Sequence, residues 1–165
     1  MWLAAEAFHG GAAAVHTPRP GEPAELVQRR ADLAHVLYHP AHPNPEVPGW
    51  MAGAGRAFSV WIASEQPGTA QGLGDAGPLA VIDTHLERDA SIGWHEHPDT
   101  AELYVLLSGT LHVSAGMHGP SGAQGWTLRE GDCHRLAAGW GHAARAGDSG
   151  ARFLVVEWRA PQGPA

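Results

Sequence analysis

From residue 56 onward, apolar and polar positions alternate in short runs. "RAFSVWIAS", 56–64, sets Phe58, Val60 and Ile62 on one side of an extended segment. Similar runs recur at 78–87, 91–97, 102–107, 110–115, 126–129, 132–136, 142–146 and 151–159. The turn signals between them are "HPDT", "SG", "REGD", "AAGWG" and "GDSG", and "EQPGTAQGLGDAG", 65–77, reads as a long loop. Many short strands, without βα alternation or internal repeat, predict an all-β antiparallel sandwich or small barrel. Only "EPAELVQRRADLAHVLYH", 22–39, has helical spacing: Leu26, Leu33 and Val36 recur on one face, Pro23 suits a first turn and Pro40 ends it. The predicted organisation is an N-terminal arm, short helix and Pro-rich loop (1–55), a barrel (56–159) and a tail (160–165).

Composition narrows the classes. A chain of 165 residues supports one sizeable core, and 22 glycines with 13 prolines suit a fold rich in turns. The net charge of −7, without clustered Lys or Arg, excludes nucleic acid as a partner. No run of 18 apolar residues is present, so no membrane span is expected. The first residues lack the cationic start of a signal peptide, and a cytoplasmic protein is the expectation. Cys133 is the single cysteine, which rules out an internal disulfide, and it is expected to be a plain buried residue.

Twelve histidines make any one of them a weak signal, but "HEHPDTAE", 95–102, is more specific. Pro98 favours an extended His97 and suits a tight turn. A turn at 98–101 predicts a hairpin in which Glu102 faces His97 and Tyr104 faces His95, so that all four share one face. If "SG" is a second turn, Leu106 opposes Leu111 and Tyr104 opposes Val113, which makes that face apolar. Two imidazoles and a carboxylate in an apolar interior are costly unless a divalent cation offsets their desolvation.

The stretch also resembles the cupin superfamily. The first cupin pattern is His-x-His, three or four residues, Glu, six residues, Gly, and here His95, His97, Glu102 and Gly109 fall at that spacing. The second is Gly, five residues, Pro-x-Gly, two residues, His, three residues, Asn. "GDCHRLAAGWGHAARA" gives Gly131, Gly139 and His142 in place, with Ala137 and Ala146 at the proline and asparagine positions. Asp89 stands where the first pattern has its leading glycine. The resemblance, over residues 56–159, implies a small jelly-roll barrel with a metal held by His95, His97, Glu102 and His142.

Three histidines and one glutamate leave about two open positions on a six-coordinate ion, and open positions distinguish catalytic from sealed sites. The donors suit Fe, Mn, Ni or Zn. The leading expectation is a metal-dependent enzyme for a small organic molecule, with oxygenase, isomerase or lyase chemistry and dioxygenase-like oxidoreductase activity foremost. The alternative is a non-catalytic, metal-anchored binding or sensing cupin. Glu102 and Tyr104 are the catalytic candidates, although Tyr104 equally fits a core-filling role. Trp140 either roofs the pocket or anchors its loop, and Leu106, Leu111 and Val113 are the expected apolar walls. Glu96 and His112 are expected to point away from the metal. A homodimer is expected, with Trp2 and Trp50 available to pack on a neighbour.

Overall fold

The computed structural model describes residues 35–38, 44–64 and 78–160. Among them are eight strands: β1 (His35–Tyr38), β2 (Ala57–Ser64), β3 (Ala80–Leu86), β4 (Ser91–His97), β5 (Thr100–Gly116), β6 (Gln124–Arg129), β7 (Cys133–Leu136) and β8 (Trp140–Arg159). Every pairing is antiparallel. The only helical pieces described are two short 3-10 turns, Gly49–Ala52 and Pro120–Gly122.

Two long strands, β5 and β8, run side by side and bend together, so one continuous sheet folds into two facing layers. The first layer has the order β1-β2-β3-β8-β5-β7, using the C-terminal part of β8 and the N-terminal part of β5. The second has the order β4-β8-β5-β6 and uses the opposite ends of the two long strands. Their register shifts on either side of Ser108–Gly109, the place where the bend falls. Gly109 has φ 85°, and a Cβ there would collide with the Gly150 carbonyl across the bend. This approach of two backbones requires glycine. Phe153, Leu86, Leu106, Leu111, Val113 and Tyr104 fill the space between the layers, each no more than 2% exposed. Each large apolar side chain buried this way contributes about 1.5–3 kcal/mol.

Three local expectations are corrected. Residues 35–38, placed in a helix by spacing, form β1 and pair with 57–60; the rest of 22–39 lies outside the described residues. "HVLY" suits a strand, and the edge of β2 supplies backbone partners that outweigh a weak helical period. The "SG" stretch is a bend within one strand, not a hairpin: Leu106 pairs with Phe153, and Leu111 pairs with Ala146 and Leu128. The hairpin between 97 and 102 is absent as well. β4 pairs with β8 at 140–145, and β5 begins against β8 at 159. The His97 carbonyl accepts from Gly139 N–H (2.7 Å) and the Asp99 carbonyl from Ala160 N–H (3.0 Å). The groups a hairpin would pair are thus bound to two different ends of β8, and Pro98–Asp99 carries the chain from one layer to the other.

Residues 44–53 cover the outside of the second layer. Val47 is buried with Trp94 and Ala143, and Trp50 and Met51 pack against them. Trp50 is therefore engaged within its own chain. Trp94 lies across Gly141, where an added Cβ would meet its ring at 2.7 Å. No helix among the described residues is long and apolar enough to cross a membrane.

Candidate metal centre

Alternation along β4 turns His95 and His97 inward and leaves Glu96 exposed. In the β4–β8 ladder His95 stands opposite His142 and His97 opposite Trp140, so all four side chains share the inner face of the second layer. Glu102 comes from the first layer, on β5. The ligand set is assembled across the interior, with three imidazoles on one layer and the carboxylate on the other. His97, Glu102 and His142 are buried and His95 is half-buried. One donor atom from each of the four lies within 4.8 Å of every other.

The donors converge on one point. His142 Nε2 is 3.0 Å from His95 Nε2 and 3.0 Å from Glu102 Oε2. Two donors at right angles, each about 2.1 Å from an ion, stand about 3.0 Å apart, so this spacing suits shared coordination. His97 Nε2 and Glu102 Oε2 are buried with no hydrogen-bond partner, 3.8 Å from each other. Buried polar atoms of this kind are costly in a protein that offers them nothing else. Burial pushes the Glu102 carboxyl up, and His97 and His95 offset this only in part. A cation at the point of convergence removes all of these costs together.

The far sides of two rings are fixed. His95 Nδ1 lies 2.9 Å from the Gly93 carbonyl, which can only accept, so Nδ1 carries the proton and Nε2 presents its lone pair. His97 Nδ1 lies 3.1 Å from the Thr100 hydroxyl and 3.8 Å from Glu157. Burial alone would raise the Glu157 carboxyl, but the polar groups of His97 and Thr100 beside it hold it below its ordinary range. It is thus an anion behind His97, as suits a carboxylate that orients a metal-ligating imidazole.

Other residues of the barrel fall as follows. Tyr104 is buried, with its hydroxyl 3.5 Å from His142 Nε2 and hydrogen-bonded to Glu102, and its ring packs on Phe153 at 4.7 Å. It fills the core and touches the ligands at once. Trp140 is half-buried on the same face as His97. Leu106, Leu111 and Val113 face the interior, but Leu106 and Leu111 flank the bend, with Leu106 about 13 Å along β5 from Glu102. His112 lies outside the cluster, bonded to Thr127. Cys133 is exposed, correcting the expectation of burial, because its position opposite Val105 puts it on the outer side of β7. Asp83 pairs with Arg152 through two bonds of 2.8–2.9 Å, and His85 is exposed; both are away from the cluster.

His134 is the residue that reading the sequence missed. It stands opposite Tyr104 in the β5–β7 ladder and therefore points inward. Its ring lies 5.7 Å from that of His142, nearly parallel at 25°. Burial holds its pKa below the ordinary histidine value, against the pull of Glu102. The signal was present in "CHRL", where an inward Leu136 implies an inward His134.

The departures from the cupin patterns have local explanations. Asp89 takes the left-handed conformation, φ 57°, that its position demands, and Arg145 holds its carboxylate at 2.7 Å. Ala146 is fully buried in the apolar cluster, where an amide would lack room and partners.

This two-layer architecture matches a predicted oxalate decarboxylase from Thermotoga maritima with a TM-score of 0.62, at 15% identity, over 82% of this chain and all of that one. The chain has the cupin fold. A cupin domain from Schizosaccharomyces pombe aligns with a TM-score of 0.50 at 10% identity, over 63% of this chain and 65% of that one. A variant of Bacillus subtilis oxalate decarboxylase aligns with a TM-score of 0.51 at 21% identity, over 65% of this chain but only 26% of the other. No family model and no curated protein sequence matches the chain.

Proposed function

We propose that this cupin is a metal-dependent enzyme acting on a small organic molecule, with one divalent ion held by His95, His97, Glu102 and His142. The observation that carries the reading is the convergence of four donors, among them the buried His97 Nε2, which has no hydrogen-bond partner, with His95 and His97 fixed through Nδ1. Fe, Mn, Ni and Zn all suit this donor set. When bound, the ion supplies Lewis acidity and, if iron or manganese, a place for O2 at its open positions. Oxygenase, isomerase or lyase chemistry fits, with dioxygenase-like chemistry foremost.

The chain supplies the setting. Glu102 sets the charge at the metal. Tyr104 has its hydroxyl between Glu102 and His142, where it can hydrogen-bond a reacting oxygen. Apolar packing behind it excludes water and strengthens each polar contact. We also propose that the protein is cytoplasmic and pairs as a homodimer.

One observation favours the second reading, a metal-anchored binding module. The interior beyond the four donors is mostly apolar, and its polar groups include Tyr104, His134 and the mutually bonded Ser59–Thr84 pair. Protein purified without a histidine tag, loaded in turn with each metal, should be screened for O2 consumption and CO2 release with small organic acids and phenols. Turnover that disappears in Glu102→Gln supports the enzyme. Tight binding of one compound with turnover from none supports the module.

A further inference from the structure

We propose that His134 is a substrate-positioning residue, and that with Trp126 it selects a planar, aromatic molecule whose oxygens reach the metal. The proposal rests on the reading of His95, His97, Glu102 and His142 as a metal centre, and it adds the class of molecule bound there. It starts from a buried atom with nothing to do: His134 Nε2 is shielded from solvent and has no hydrogen-bond partner in the protein. A buried imidazole nitrogen without a protein partner calls for one from outside the chain, an ordered water or a ligand atom.

The location favours a guest reaching the metal. The ring of His134 is 5.7 Å from that of His142 and 6.1 Å from that of Tyr104, so it borders the ligand cluster without belonging to it. On its other side stands Trp126, 6.1 Å away and tilted by 35°. Trp126 pairs with Val113, whose side chain is buried in the core, so the register turns the indole toward the inside. Yet Trp126 is 44% exposed. It can be both because β6 and β7 pair with β5 and not with each other, which leaves a seam between the two layers at their free edges.

A row of rings thus runs from an exposed indole, through His134, to Tyr104 and His142. Aromatic faces of this kind favour a flat guest through offset stacking. His134 Nε2 lies near the donor cluster, where it would meet a guest oxygen next to those that reach the metal. A small chelator such as oxalate reaches the ion but is too short to cover the indole. An aromatic acid with an adjacent hydroxyl has both a chelating end and a flat body.

The test uses the full chain loaded with Co(II), whose visible absorption reports ligand binding, and titrates it with 2-hydroxybenzoate and with oxalate. His134→Phe keeps the ring and removes the hydrogen bond, and should weaken 2-hydroxybenzoate about tenfold while Co(II) content stays at the wild-type level. His134→Gln restores a donor and should bind within about threefold of wild type. Trp126→Ala, at a half-exposed position, should weaken 2-hydroxybenzoate and leave oxalate unchanged. Normal Co(II) content with His134→Phe binding 2-hydroxybenzoate as wild type does, or with Trp126→Ala affecting both compounds equally, overturns the proposal and leaves the metal centre standing. Failure of the wild-type chain to take up Co(II) overturns both.

Discussion

Glu102 shows most clearly what a single residue contributes. In the metal-free fold its carboxyl is raised by burial, whereas in the unfolded chain it ionises near the ordinary value of 4.5. Between those two values the folded state holds a proton that the unfolded state has released. Stability therefore falls as pH rises through the raised value. Metal-free Glu102→Gln, which cannot ionise, should be more stable than metal-free wild type at neutral pH. The gap should close below pH 4.5, as thermal melts across pH will show. With metal bound the order reverses, because the anion then faces a cation. Tyr104 gives a second test at this scale. If its hydroxyl meets the reacting group, Tyr104→Phe costs about 1–3 kcal/mol of transition-state stabilisation, roughly ten- to a hundredfold in kcat/KM. Melting should change little, because Phe keeps the packing against Phe153.

At the scale of strands, alternation along "HEH" and after Glu102 placed the right side chains inside, because a period of two needs no knowledge of the partner strand. Pairing was not legible. The 97–102 and "SG" turns both read as hairpins, and neither is one, since what decides the matter is the long strand β8 taking up the backbone bonds at both ends. Nothing local in residues 91–107 encodes that distant stretch. His142 became legible only through the cupin pattern, and His134 lay in a run whose face was left unread. The short strand at 35–38 was masked by a helical period and stabilised by a partner outside the window. Glycines show where the layers depend on close approach. Gly141→Ala drives a methyl into Trp94 and should destabilise by about 1–3 kcal/mol in urea unfolding. Gly109→Ala must fit both a positive φ and the Gly150 carbonyl, and should cost at least as much.

For the whole molecule, an ion held at this cluster would tie the two layers together, since three of the donors come from one and the fourth from the other. Loading should therefore raise the melting temperature, with about 2.7 kcal/mol of added stability at a hundredfold excess over Kd and a logarithmic dependence on that excess. The homodimer is tested by sedimentation at tens of micromolar: a mass of twice 17.4 kDa supports it, and 17.4 kDa contradicts it. The central claim is that one ion is bound by these four side chains, and elemental analysis of tag-free protein tests it most directly. Wild type and His112→Ala should each carry about one divalent ion per chain, while His97→Ala and His142→Ala, shown folded by circular dichroism, should lose most of it. Full metal content in both of the latter variants, or none in a wild-type chain equilibrated with Fe, Mn, Ni and Zn, would contradict the account.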